Sequence, residues 1–131
     1  MVKKRRDTDE ITAGSEPIVI ETTTSESRLR ENLEEIKNYD GVLGYILRNA
    51  TSASIDLKEP AKIIDYATLS STAFDASEEL SKLFELGNVK NIVVDGKNLK
   101  MLSLSVEENK ISVFMENDAD AEKVLKKLQA I

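Results

Sequence analysis

A helical pattern of unusual length occupies the middle of the chain and limits the folds that the rest can adopt. It opens at Pro60, a residue favoured in the first turn of a helix, and continues to Leu86, where Gly87 can supply a left-handed cap. The pattern therefore predicts one long helix from Pro60 to Leu86.

Apolar residues recur along this helix in two adjacent stripes, and a helix with two such stripes usually has two packing partners. We expect the first stripe to face the core; it comprises Tyr66, Leu69, Ala73, Ala76, Leu80 and Leu83. The second stripe mixes small residues with two phenylalanines and comprises Ile63, Ala67, Ser70, Phe74, Ser77, Ser81 and Phe84. It faces either a partner or the core of the same chain.

Short strands lie on both sides of the long helix. Alternating and β-branched patterns predict two strands before it and three after it, with Asp95-Gly96 as the strongest hairpin signal. The predicted strands are Val42 to Leu47, Ser52 to Leu57, Val89 to Val94, Leu99 to Val106 and Ile111 to Met115.

Amphipathic helices begin and end the folded region. The first is capped by Ser25 or Ser27 and stops near Asn38, and the last is capped by Asn117 or Asp118. The order helix-strand-strand-helix-strand-strand-strand-helix predicts an α/β (α+β) fold, a three-layer sandwich around a five-stranded antiparallel sheet. The long helix should cross one face, with the terminal helices on the other.

The composition removes most catalytic and ligand-binding chemistry. The 131 residues include no cysteine and no histidine, which excludes disulfides, thiol catalysis, zinc–thiolate sites and the usual general base near neutral pH. The formal net charge of −6 argues against nucleic acid, whose binding requires a basic face. We therefore expect no enzyme activity, no cofactor, no metal and no nucleic-acid partner.

Residues 1–24 differ in composition from the rest. Few are apolar and the charges of MVKKRRDTDE nearly cancel, so we expect a flexible tail, with the folded domain over residues 25–131. The triplet Ile18-Val19-Ile20 can add a short strand to a sheet edge or stay part of the tail. No apolar region follows the amino-terminal charges, so we expect no secretory signal, no membrane insertion and a cytoplasmic location.

Several segments, taken in order, resemble the roadblock/dynein light chain domain, a branch of the longin-like and profilin-like sandwich folds. They are the first helix and strand, IKNYDGVLGYIL; the long helix, AKIIDYATLSSTAFDASEELSKLFELG; the hairpin VKNIVVDGKNLKMLSLS; the strand-to-cap step NKISVFMENDAD; and the closing amphipathic helix. Together they cover roughly residues 27–131.

The resemblance implies a non-catalytic homodimer. Roadblock domains join their sheets edge to edge at the third strand and pack their long helices together, and the paired surface docks small Ras-like GTPases or assembles larger complexes. Prokaryotic members are proposed regulators of a Ras-like GTPase. On this basis the dimer or partner interface comprises Ile63, Ala67, Ser70, Phe74, Ser77, Phe84, Lys90, Ile92 and Val94.

One alternative is a small-molecule-sensing module on a related sandwich fold. It would need a pocket with convergent polar groups, for which Tyr45, Arg48 and Tyr66 are the plausible residues. Two glycines also need an account. Gly41 fits a turn after the first helix, and Gly44 should allow a close approach between the sheet and, first of all, the long helix.

Overall fold

The computed structural model describes residues 24–129, and within them the predicted order of elements is confirmed. The helices are α1 (Thr24–Ile36), α2 (Ile63–Phe84, after a 3₁₀ turn at Pro60–Lys62) and α3 (Ala121–Gln129). The strands are β1 (Val42–Arg48), β2 (Ala53–Leu57), β3 (Asn91–Asp95), β4 (Lys100–Val106) and β5 (Asn109–Met115). The predicted tail, including the triplet at 18–20, lies outside the described residues apart from Thr24, which begins α1.

The five strands form one sheet in the order β2-β1-β5-β4-β3, and every neighbouring pair is antiparallel. The predicted five-stranded antiparallel sheet is therefore confirmed. The first hairpin and the last three strands join where β1 pairs with β5, which places β5 at the centre. β2 and β3 are left as the two edges.

The larger core lies between the sheet and the pair of helices α1 and α3. Leu29 and Leu33 of α1 are one helical turn apart and fully buried, as are Val124 and Leu128 of α3, and all four pack with Val113 of β5. On the opposite face, α2 packs on a smaller buried cluster formed by Ile46, Met101 and Phe114. These two interfaces confirm the three-layer sandwich.

Polar contacts tie α1 to the first hairpin. The Tyr45 hydroxyl donates to the Glu34 carboxylate at 2.8 Å, and the Lys37 ammonium donates to Glu34 at 3.1 Å and to Asp56 at 2.6 Å. Burial, followed by the hydrogen bond to Glu34, raises the pKa of Tyr45 to about 12, while hydrogen bonds from Tyr45 and Lys37 lower the pKa of Glu34. The folded state therefore favours the neutral phenol beside the charged carboxylate.

Gly44 is required by a contact between strands. Its φ is +144°, and the pairing of β1 with β5 shifts register between Val42 and Gly44. A Cβ at this position would lie only 2.7 Å from the Cα of Leu57 in β2. The expectation that the long helix approaches closely here is wrong, because β2 occupies that space. Gly41, with φ +81°, lies in the turn between α1 and β1 as predicted.

The long helix ends earlier than its sequence pattern predicts. α2 stops at Phe84, and the left-handed cap is Glu85, with φ 55° and ψ 47°, instead of Gly87. The Leu86 N–H bonds back to the Ser81 carbonyl and closes the last turn. Gly87 also has positive φ, so the chain changes direction over Glu85 to Gly87 and not at a single cap residue.

Two other element boundaries differ from the prediction. β3 begins at Asn91 and not at Val89, because the preceding residues still belong to the segment that returns from the end of α2. α3 is capped by Asp120, whose carboxylate accepts the Lys123 N–H at 3.2 Å, and not by Asn117 or Asp118.

Candidate interaction surface

α2 packs against β5 through contacts that recur at regular intervals along both elements. Tyr66 stacks on Phe114 with ring centroids 4.5 Å apart, and one helical turn later the Ser70 hydroxyl is 2.6 Å from that of Ser112. Four helical residues rise about 6 Å and two strand residues about 7 Å, so contacts repeat at these spacings. Small serines on both elements allow the close approach.

The next contact of this series lies at the end of the sheet. Phe74 is 6% exposed, and its ring centre is 5.6 Å from the Arg48 guanidinium and 5.5 Å from the Lys110 ammonium. Lys110 is the second residue of β5, so the strand supplies almost no surface beyond it. The ten residues of α2 after Phe74 continue for about 15 Å along the helix axis beyond this last contact with β5.

The projecting end of α2 and the residues just after it carry exposed apolar side chains. We call them the overhang patch; they are Leu80, Leu83, Phe84 and Leu86, each between 50% and 68% exposed. The rest of residues 24–129 leaves at least half of each of these residues exposed. Contiguous exposed apolar side chains of this size usually mark an interaction site on a soluble protein.

The interface residues predicted from the sequence do not share one environment. Ser70 and Phe74 lie on the face of α2 that is buried against the chain's own sheet, whereas Phe84 and Lys90 are exposed. The half-buried members are Ile63, Ala67, Ser77, Ile92 and Val94. That these residues contact a second copy stays a prediction, but Ser70 and Phe74 offer no surface in the single chain.

The division of α2 into a core stripe and a partner stripe is partly wrong. Tyr66, Leu69 and Ala73 do pack against the sheet, as expected of the core stripe. Leu80 and Leu83 of the same stripe are exposed, because they lie beyond the end of the sheet. A signal was present in the sequence, since a helix of more than about 30 Å cannot be covered by strands of about 20 Å.

β3 forms the sheet edge nearest to the returning segment. Ile92 and Val94 face α2, and Val94 packs on the smaller core cluster, while Val93 points to the other face and is 50% exposed. No strand among residues 24–129 pairs with the outer side of β3. Such an unpaired edge can accept another strand.

A cavity of about 970 Å³ lies between the projecting part of α2, the returning segment and the ends of β4 and β5. Its walls combine apolar side chains, among them Phe74, Val89 and Ile92, with polar and charged ones. The fully buried Ser103 also lines it and is linked to the interior, since its hydroxyl is 2.6 Å from that of Ser112.

The residues suggested for a small-molecule pocket do not converge. The Tyr45 hydroxyl reaches Glu34 on the α1 face of the sheet, whereas Tyr66 stacks beneath α2 on the opposite face. Arg48 alone lies near the cavity, beside Phe74. A pocket built from these three residues together is therefore wrong.

Two further features of the described residues bear on function. Within residues 24–129, no group of three or more acidic side chains is arranged to hold a metal ion. The same residues contain no helix with both the length and the apolar character needed to cross a membrane.

No protein-family model matches this sequence, and no curated protein matches it significantly. Solved structures do match its fold. A roadblock/LC7 domain from Streptomyces avermitilis superposes with a TM-score of 0.62 at 13% identity, covering 79% of this chain and 88% of that one. The gliding protein MglB from Thermus thermophilus gives 0.62 at 19% identity, covering 82% and 84%.

A further match is an MglB described as having a tetrameric arrangement, with a TM-score of 0.61 at 21% identity, covering 82% of this chain and 84% of that one. All three structures share the sheet-and-helix arrangement over most of both chains. The resemblance seen in the sequence is thus confirmed at the level of the fold: this chain has the fold of the roadblock/LC7 domain.

Proposed function

We propose that the protein is a non-catalytic homodimeric scaffold that binds a small Ras-like GTPase or assembles a larger complex. The observation that carries the proposal is the overhang patch, three exposed apolar side chains in the last turns of α2 together with Leu86 just after the helix. A second copy can cover these side chains, which gains the free energy of removing them from water.

The edge strand β3 supports the same proposal. β3 and the projecting end of α2 are joined by a short returning segment, so the open strand edge and the overhang patch lie at one side of the molecule. A twofold axis near this side would bring both features against their counterparts. A tetrameric arrangement in one of the structurally similar proteins supports self-association for this fold.

The regulatory part of the proposal rests on the roadblock resemblance and on chemistry. The chain has no histidine and no cysteine, so a role through binding is better supported than a reaction of its own. The two MglB structures support the fold on which this resemblance rests, and the GTPase partner itself is what the roadblock resemblance implies.

Self-association is tested by sedimentation equilibrium over a wide range of protein concentrations. We expect a dimer for the natural chain and dissociation for Leu83→Ser. Ile55→Ser is the matched control, because Ile55 is also an exposed apolar residue but lies on β2, the opposite edge of the sheet. A monomer at every concentration, or equal effects of both substitutions, would contradict the proposed dimer.

GTPase binding is tested with a Ras-like GTPase encoded beside this chain's gene, loaded with GDP or with a non-hydrolysable GTP analogue. We expect nucleotide-dependent binding that requires the dimer, so that Leu83→Ser weakens it and Ile55→Ser does not. Absence of binding in both nucleotide states would contradict the proposal that this GTPase is a partner of the protein.

A further inference from the structure

Two positive charges face each other across neighbouring strands beside the cavity. Arg48 of β1 and Lys110 of β5 are direct cross-strand partners, and both point to the α2 face, where they contact the Phe74 ring. Like charges directly opposite each other destabilise a sheet. No carboxylate among residues 24–129 lies within ion-pair distance of either one. Within the described chain, the electron-rich face of the Phe74 ring offsets the repulsion between the two cations.

More unpaired cations line the same cavity. Lys82 from α2 and Lys90 from the returning segment join Lys110 in its wall, and none of the three has a carboxylate within 4 Å among the described residues. Glu78 and Glu107 also line the cavity and only partly offset these charges. The three lysines outnumber the two glutamates by one, so the cavity lining is net positive in a chain of net charge −6.

The interior wall holds a chain of three serine hydroxyls. Ser70, Ser112 and Ser103 are all buried, and their three hydroxyls make two hydrogen bonds with one another. Three protons shared over two bonds leave one proton without an acceptor among residues 24–129. Either oxygen of each pair can donate, and in the arrangement where Ser70 donates to Ser112 and Ser112 to Ser103, the remaining proton is that of Ser103, which lines the cavity.

We propose that this cavity binds a small multivalent anion, a phosphate ester or a polycarboxylate. Lysine side chains with free donors, such as the three that line this cavity, bind the oxygen atoms of both groups. Several unpaired cations favour a ligand with two or more negative charges over a single carboxylate. The cavity volume of about 970 Å³ suits a small molecule.

Binding is tested by isothermal titration calorimetry on the full chain, at fixed ionic strength, with pyrophosphate in one arm and citrate in the other. We expect saturable binding of at least one, and the comparison distinguishes phosphate from carboxylate sources. Lys110→Gln should weaken binding about tenfold, the loss expected for one charge-assisted hydrogen bond. The control is Lys97→Gln, an exposed lysine in the turn at the opposite end of β4, which should bind like the natural chain.

The melting temperature without added anion gives a second readout. Lys110→Gln should melt at or above the temperature of the natural chain, because it removes the repulsion with Arg48. A marked fall would show that Lys110 serves packing on Phe74, and the inference would fail. It would also fail if neither anion bound, if both lysine variants lost binding equally, or if Lys110→Gln weakened only self-association. Each of these results leaves the proposed dimer to be judged by the Leu83→Ser experiment.

Discussion

Phe74 and Phe84 occupy the same stripe of the α2 helix in the sequence, yet substitutions at the two positions should have opposite consequences. Phe74 is 6% exposed and packs against the chain's own sheet, so Phe74→Ala should lower the free energy of unfolding by about 3–5 kcal/mol. Phe84 is 67% exposed, and Phe84→Ser should change that free energy by less than about 0.5 kcal/mol.

Self-association should respond in the reverse order. A phenylalanine side chain has about 200 Å² of surface, so 67% exposure leaves about 130 Å² in water. If a symmetric dimer buries half of that area in each copy, two copies together bury about 130 Å². At about 25 cal/mol per Å² the loss in Phe84→Ser is about 3 kcal/mol, or roughly a hundredfold in the dimer dissociation constant.

The two quantities need separate measurements. Urea unfolding should be followed at protein concentrations below the dimer dissociation constant, because association adds to the apparent stability. Sedimentation equilibrium then gives the dissociation constant of each variant. The reasoning is refuted if Phe84→Ser destabilises the monomer as much as Phe74→Ala does, or if it leaves the dissociation constant unchanged.

Three further predictions concern the stability of the fold and are read out by urea unfolding. Glu85→Gly should raise the free energy of unfolding by about 1 kcal/mol, because glycine removes the strain of a left-handed cap residue; a loss would show that the Glu85 side chain stabilises the helix end. Gly44→Ala should cost more than about 2 kcal/mol and Gly87→Ala only about 1 kcal/mol, because both have positive φ but only Gly44 lacks room for a Cβ; equal costs would contradict the steric explanation. The pKa of Tyr45 is raised from 10 to about 12 in the folded chain, so its contribution to the free energy of unfolding is complete below pH 10 and is lost as the pH rises towards 12. Over that range the free energy of unfolding of the natural chain should fall by about 1–2 kcal/mol, after allowance for solvent screening, and that of Tyr45→Phe should fall less. Identical pH profiles for the two chains would contradict that last assignment.

The strand pattern was predictable because its signals are local. Alternating apolar residues located all five strands, and the Asp95-Gly96 turn located the hairpin between β3 and β4. The boundaries were less accurate where a distant element decided them. β3 starts late because the chain first returns from the projecting end of α2, a distance that no property of Val89 or Lys90 reveals.

The face of α2 that meets the sheet could not be predicted from its own pattern. Both stripes contain apolar and small residues, so amphipathicity alone does not choose between them. The choice depends on complementarity with the sheet, where Ser70 meets Ser112 and Tyr66 meets Phe114, residues far apart along the chain. Phe74 was assigned to a partner surface for this reason, and Leu83 to a core that ends before reaching it.

The order of elements, the antiparallel sheet with helices on both faces, and the absence of histidine and cysteine chemistry can all be read from the amino-acid sequence. These follow from side-chain periodicity and composition, which act between residues close together or need no geometry at all. Only the tertiary structure decided how far α2 extends past the sheet, which apolar side chains remain uncovered, and that Arg48 and Lys110 meet beside one cavity. Those features depend on the register between elements distant in the chain, and that register is set by packing over the whole domain.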